Sequence, residues 1–194
     1  PGRRRVGLGL AAGLVLVSIP LAAPGSELVP GAGTVGSNAP RWVMGAFGNG
    51  FDLDGGRFLG LLYAATLLWA GLLLCARDLG LRAVAAFAAA LIALFVLAAP
   101  LLSLDVFSYV SYARIAGLAV AAIAWLVARL AALRGVTPAT AVAFVALNPI
   151  VLVQLVGGAH NDAVMAALAF AGGAAALTAR PAIAGGGFVL AATI

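Results

Sequence analysis

IAGLAVAAIAWLVARLAAL, residues 115–133, carries a single charge, Arg129, in nineteen residues. A helix of that length rises about 28 Å, close to the ~30 Å of bilayer hydrocarbon. The residues lack the alternation of period two that a membrane barrel strand requires. In hydrocarbon the backbone must satisfy its own hydrogen bonds, so the segment reads as a membrane-spanning helix. Arg129 lies about one turn from the end of the run, and its long stem lets the guanidinium snorkel to the surface.

Similar apolar runs flank this one, at 6–23, 58–76, 83–104, 139–156 and 163–179, and a seventh begins at Pro181. The fold class expected is all-α: a polytopic membrane helical bundle of about six to seven transmembrane helices, forming one transmembrane domain over 1–194. Bulk composition agrees. Apolar residues make up 64% and charged residues 9%, with a mean hydropathy of +1.16, which excludes an ordinary soluble domain. The pI near 10.7 reflects eleven arginines scattered one or two to a loop, with no basic stripe, so nucleic acid is excluded as a partner. The single Cys75 can form no internal disulfide.

Arginine placement gives the orientation, because cytoplasmic loops retain positive charge. With the N-terminus cytoplasmic, Arg3, Arg4, Arg5, Arg77, Arg82, Arg129, Arg134 and Arg180 fall inside, and Arg41, Arg57 and Arg114 outside. Glu27, Asp52, Asp54, Asp105 and Asp162 then lie outside and only Asp78 inside. The first run keeps a second reading. Three arginines, an apolar stretch and PLAAPGS also resemble a secretory signal with its cleavage region. The chain starts at Pro1, and its last run holds about 14 residues with three glycines, short for a span. It therefore reads as a fragment.

Three external segments carry the chemistry. The long loop 24–57 is rich in Gly, Pro and Ser and ends in FDLDGG, where Asp52 and Asp54 either hold a divalent cation or build a turn. SLDVFSYVSYAR, residues 103–114, places Asp105 as N-cap of a short interfacial helix, 105–114, with Phe107 and Tyr109 on its apolar face. GGAHNDA, residues 157–163, contains the only histidine. Its external turn 157–162 follows an Asn148-Pro149 pair that should kink or unwind the fifth run, since proline leaves a carbonyl without its donor. A glycine pair that ends one helix and an Asn161 or Asp162 that caps the next explain most of these letters. They leave His160 unexplained, and ionisable groups near a membrane are candidate functional residues. Two carboxylates and an imidazole on one face suit group transfer from a lipid phosphate: an acid as general base, His or Arg against the leaving phosphate. A transporter or lipid-carrier flippase using an Asp/His pair at a broken helix is the alternative.

LLSLDVFSY, residues 101–109, and NPIVLVQLVGGAHNDAVM, residues 148–165, resemble the polyprenol-phosphate-mannose-dependent alpha-1,6-mannosyltransferases of actinobacterial lipomannan synthesis, members of the GT-C superfamily. The resemblance implies a GT-C-like bundle, multi-pass in the plasma membrane. It implies transfer of mannose, with inversion, from a polyprenyl phosphomannose donor to a growing mannan or lipomannan acceptor at the external face, with no cofactor and no metal. By the same resemblance Asp105 is the catalytic base. His160, Asn161, Asp162, Tyr109 and Arg114 are the substrate-binding residues, with Arg114 facing the phosphate and Tyr109 a sugar ring. Family members carry a further external and membrane region after the first motif. Here Arg114 runs directly into residues 115–133, so the chain reads as a partial or internally shortened member.

Overall fold

A computed structural model of the chain describes residues 2–22, 51, 53–98, 106–158 and 162–193, with the side chains of 106–114 left aside. The described residues are almost entirely helical and contain no β-strand. Helix α1 (Gly2–Ala22) is followed by α2 (Gly55–Leu79), which begins where Asp54 caps it. The Asp54 carboxylate accepts the Arg57 N–H at 2.7 Å. The second acid of FDLDGG is therefore a helix cap, and Asp52 lies outside the described residues. A single residue, Gly80, joins α2 to α3 (Leu81–Leu97), and its φ of +79° is a conformation that side chains disfavour.

Helix α4 (Val106–Leu133) is continuous over 28 residues. The segment read from sequence as a separate helix over 105–114 forms the first turns of α4, and Asp105 itself lies outside the described residues. About 42 Å of helix exceeds the ~30 Å hydrocarbon, so this helix is longer than a perpendicular span needs. It ends in a Schellman turn: Val136 N–H donates to Ala131 O at 2.9 Å and Gly135 N–H to Ala132 O at 3.3 Å, with Gly135 at φ +69°.

The fifth run is broken at the expected pair. Helix α5 (Pro138–Ala146) stops, α6 (Pro149–Val151) restarts, and a π-helical turn, Leu152–Gly157, continues it; the two halves meet at 46°. Asn148 caps the restart, its Oδ1 accepting the Ile150 N–H at 2.9 Å, and Pro149 takes the first helical position, where no N–H is needed. Trp69 of α2 secures the other side of the break. Its Nε1–H donates to Ala143 O at 2.9 Å, one of the last four carbonyls of α5, and its ring lies 5.7 Å from that of Phe144.

Helix α7 (Asp162–Leu177) and α8 (Pro181–Thr193) form a hairpin. Its turn is a second Schellman motif, with Arg180 N–H on Ala175 O at 2.9 Å, but Ala179 rather than glycine occupies the left-handed position, at φ 55°. The two helices touch backbone to backbone. A Cβ built on Gly187 would stand 3.0 Å from Gly172 Cα and 3.2 Å from Leu168 O. Close approach through small residues is how helices associate where no hydrophobic force drives them together.

The core is one cluster in which Leu14 of α1, Leu72 of α2, Leu91 and Phe95 of α3, Val120 of α4 and Leu152 of the π turn are fully buried. Away from the charged helix ends the surface is strongly apolar too: Leu74 is 79% exposed, Leu67 74% and Leu118 73%. Large aliphatics facing outward on several helices fit a lipid solvent. The number of spans is lower than the sequence suggested. Among the described residues three helices are long and apolar enough to cross a membrane, Gly2–Ala22, Gly55–Leu79 and Ile115–Leu133, or four when the bent α5–α6 pair counts as one. The apolar runs expected as the third, sixth and seventh spans form helices of 17, 16 and 13 residues. At 1.5 Å per residue they reach about 26, 24 and 20 Å, short of the hydrocarbon thickness.

Candidate functional site

The packing sorts the helix ends. Gly7 of α1 lies against Cys75 and Leu79 at the end of α2, and one cleft is lined together by Leu81, Ala128 and Val142. A second cavity brings Leu133 of α4 next to Thr178 and Arg180. The start of α1, the Gly80 turn, the Gly135 turn and the Ala179 turn therefore share one end of the bundle. That end carries all eight arginines assigned to the inner side.

The described residues of the motifs lie at the opposite end. Since the last turns of α4 and α7 are neighbours, and the two helices pack on each other, they run parallel and both begin at the far end. Asp162 is the first residue of α7, exposed, about 22 Å from Leu177 along the helix axis. This sets it near the level of residues 115–118 of α4, with Arg114 about one turn beyond and Tyr109 two turns further. The π turn packs on α1, α3, α4 and α7 at this end, and Gly158 N–H closes it on Val153 O at 2.8 Å. Gly117 of α4 seats against Val96 and Ile92 of α3, which holds the early turns of α4 to the bundle.

Of the residues singled out in the sequence, the structure puts the backbone of Tyr109 and Arg114, in α4, and Asp162, in α7, at the same end of the bundle but at different heights along its axis. Asp105, His160 and Asn161 lie outside the described residues. The first turn of α7 points its N–H groups and the positive end of its dipole that way, beside the early turns of α4, whose own start lies about 18 Å further along the axis. Asp162 in the first turn of α7 complements that dipole. The π turn directly before residues 159–161 is a feature often found beside functional sites. Asp54 and Arg57 also sit at the start of α2, paired at 3.3 Å, but with side chains 56% and 71% exposed the pair contributes little to stability. No group of three or more His, Cys, Asp or Glu that could hold a metal occurs among the described residues. The kink at Asn148-Pro149 follows from the missing proline N–H, and the Asn148 side-chain oxygen is engaged in capping the restart.

Sequence reasoning missed Trp69. An indole in an apolar run carries no signal that it will reach a carbonyl 74 positions away.

Residues 112–194 match the family model described as Alpha-(1->6)-mannopyranosyltransferase, N-terminal domain. The match takes in α4 from Tyr112 onward, the broken helix, GGAHNDA and the α7–α8 hairpin, and it bears out the resemblance carried by those residues. It supports a mannosyltransferase. No curated protein and no solved structure matches the chain.

Proposed function

We propose that this chain, whose residues 112–194 fall in the alpha-(1->6)-mannopyranosyltransferase family, belongs to a membrane enzyme that transfers mannose from polyprenyl phosphomannose to a growing alpha-1,6-mannan at the external face of the plasma membrane. The observation that carries the reading is the parallel course of α4 and α7. It sets the first turns of α4, which follow Asp105, and the first residue of α7, which follows His160 and Asn161, at one end of the bundle, away from the eight arginines. With the arginine end cytoplasmic, the site faces outward, where a carrier-linked sugar replaces a nucleotide sugar.

In the reaction the Asp105 carboxylate accepts the proton of an acceptor hydroxyl. The hydroxyl oxygen forms a bond to C1 of the mannose while the bond from C1 to the phosphate oxygen breaks, inverting the anomeric carbon. The bonding pair leaves on the polyprenyl phosphate, whose added negative charge faces Arg114, His160 and the N-terminal dipole of α7. Tyr109 offers an aromatic face to a sugar ring, and Asn161 and Asp162 hydrogen-bond donor or acceptor hydroxyls.

The test is transfer of labelled mannose from polyprenyl phosphomannose to a short mannoside by membranes containing the protein. Asp105→Asn keeps the shape and removes the base, and transfer should fall by about 10²- to 10⁴-fold. Undiminished transfer would rule out Asp105 as the base.

A further inference from the structure

The arginine-rich end holds a second polar site that mannose transfer does not use. Between the last turns of α4, the end of α7 and the start of α8 lies a cavity of about 600 Å³, lined by Arg129, Arg180, Thr178 and Trp125 among aliphatic side chains. Both arginines are exposed, and neither has a carboxylate partner among the described residues. The Arg129 guanidinium rests 5.6 Å from the centroid of the Trp125 ring, a cation–π contact that leaves its N–H groups available. Arg180 is fixed by its backbone, donating to Ala175 O at 2.9 Å and accepting from Ala184 N–H at 3.0 Å. Its side chain thus starts from a rigid turn, next to the positive end of the α8 dipole.

On the other side of Trp125 lies an apolar cleft of about 270 Å³ between α3, α4 and α5, running from Leu81 to Ile92. Eleven residues of helix give it a length of about 16 Å into the bundle. Its walls are mostly alanines, so it offers width without polar groups. Trp125, 61% exposed, is shared by both spaces.

We propose that these two spaces form a binding site for an anionic glycerophospholipid of the cytoplasmic leaflet. The headgroup phosphate lies between Arg129 and Arg180, and an acyl chain lies along the alanine-lined cleft; the Thr178 hydroxyl borders the site but already donates to Ala174 O at 3.0 Å. A phosphate between two cations at a membrane surface is favoured by their charge, and Arg suits it by presenting several N–H donors in a fixed plane. The adjoining cleft favours a lipid over free phosphate, because only a lipid fills both spaces. The site is distinct from the external one and does not depend on the catalytic reading.

The experiment reconstitutes the protein in phosphatidylcholine bilayers containing spin-labelled phosphatidylglycerol or spin-labelled phosphatidylcholine and measures the motionally restricted fraction of each. A preference for phosphatidylglycerol is expected, reduced roughly fivefold by each of Arg129→Gln and Arg180→Gln. Arg134→Gln should change it less than twofold, because Arg134 lies at the same end but outside the cavity. Arg129→Lys with Arg180→Lys retains the charge and should retain most of the preference, which separates charge from misfolding. An equal loss in Arg134→Gln would show a diffuse surface effect and overturn the site. Displacement of the lipid by excess inorganic phosphate would assign the cavity to a soluble anion and overturn the lipid. Equal restriction of both lipids would overturn it as well.

Discussion

Gly187→Ala, compared with Gly186→Ala, tests whether α7 and α8 are held by direct backbone contact. Both substitutions add one methyl to the same helix, and both gain up to about 1 kcal/mol of helix propensity over glycine. They differ in what the methyl meets. At Gly186 nothing lies within 4 Å, whereas at Gly187 the new Cβ stands 3.0 Å from Gly172 Cα, 3.1 Å from Gly172 N and 3.2 Å from Leu168 O. All three are backbone atoms of α7, so no side chain can rotate away, and α8 must shift by a few tenths of an ångström. Overpacking of this kind costs about 1–3 kcal/mol. Since the propensity gain cancels between the variants, their difference in unfolding free energy should be about 1–3 kcal/mol, with Gly187→Ala the less stable. SDS titration of the protein in mixed micelles, followed by loss of helix–helix contact, measures it. Equal unfolding free energies for the two variants would refute the backbone contact. The result bears on function because the hairpin supports α7, and α7 carries Asp162 at the candidate site.

Other expectations use the same assay or simple labelling. Trp69→Phe retains a ring against Phe144 but removes the N–H that serves Ala143 O, and should cost about 0.5–1.5 kcal/mol; unchanged stability would mean that the carbonyl is satisfied otherwise. Ala179→Gly relieves a left-handed alanine and should stabilise the α7–α8 hairpin by about 1 kcal/mol, checked by the same titration, and a loss of stability would contradict it. Single cysteines at Ser108 and Ala159 should react with an impermeant thiol reagent added outside intact cells, with little background from the buried Cys75. Reaction only after the membrane is opened would reverse the orientation.

The break at Asn148-Pro149 and the start of the last helix at Pro181 were legible in the sequence, whereas the caps by Asp54 and Asn148 and the positive φ of Gly80 and Gly135 emerged only with the structure. The bend at Asn148-Pro149 followed from the missing proline N–H. Span count was less legible, because hydropathy measures how apolar a run is and not how long a straight helix it makes. Residues 83–104 read as one span, but the described helix stops at Leu97. The short interfacial helix after Asp105 was expected from its amphipathic spacing, whereas the backbone of Val106 onward continues into α4 without a break.

By itself the sequence determined an all-helical, lipid-facing chain with most of its arginines segregated from most of its acids, because hydropathy, charge and the obligations of a backbone in hydrocarbon are local properties of consecutive residues. Only the tertiary structure decided that α4 and α7 pack on each other with their last turns side by side, that Trp69 secures the broken helix, and that Gly172 meets Gly187. Those facts depend on which faces of distant helices meet, and in a chain that exposes large aliphatics on several helices as well as burying them, hydropathy carries no record of that choice.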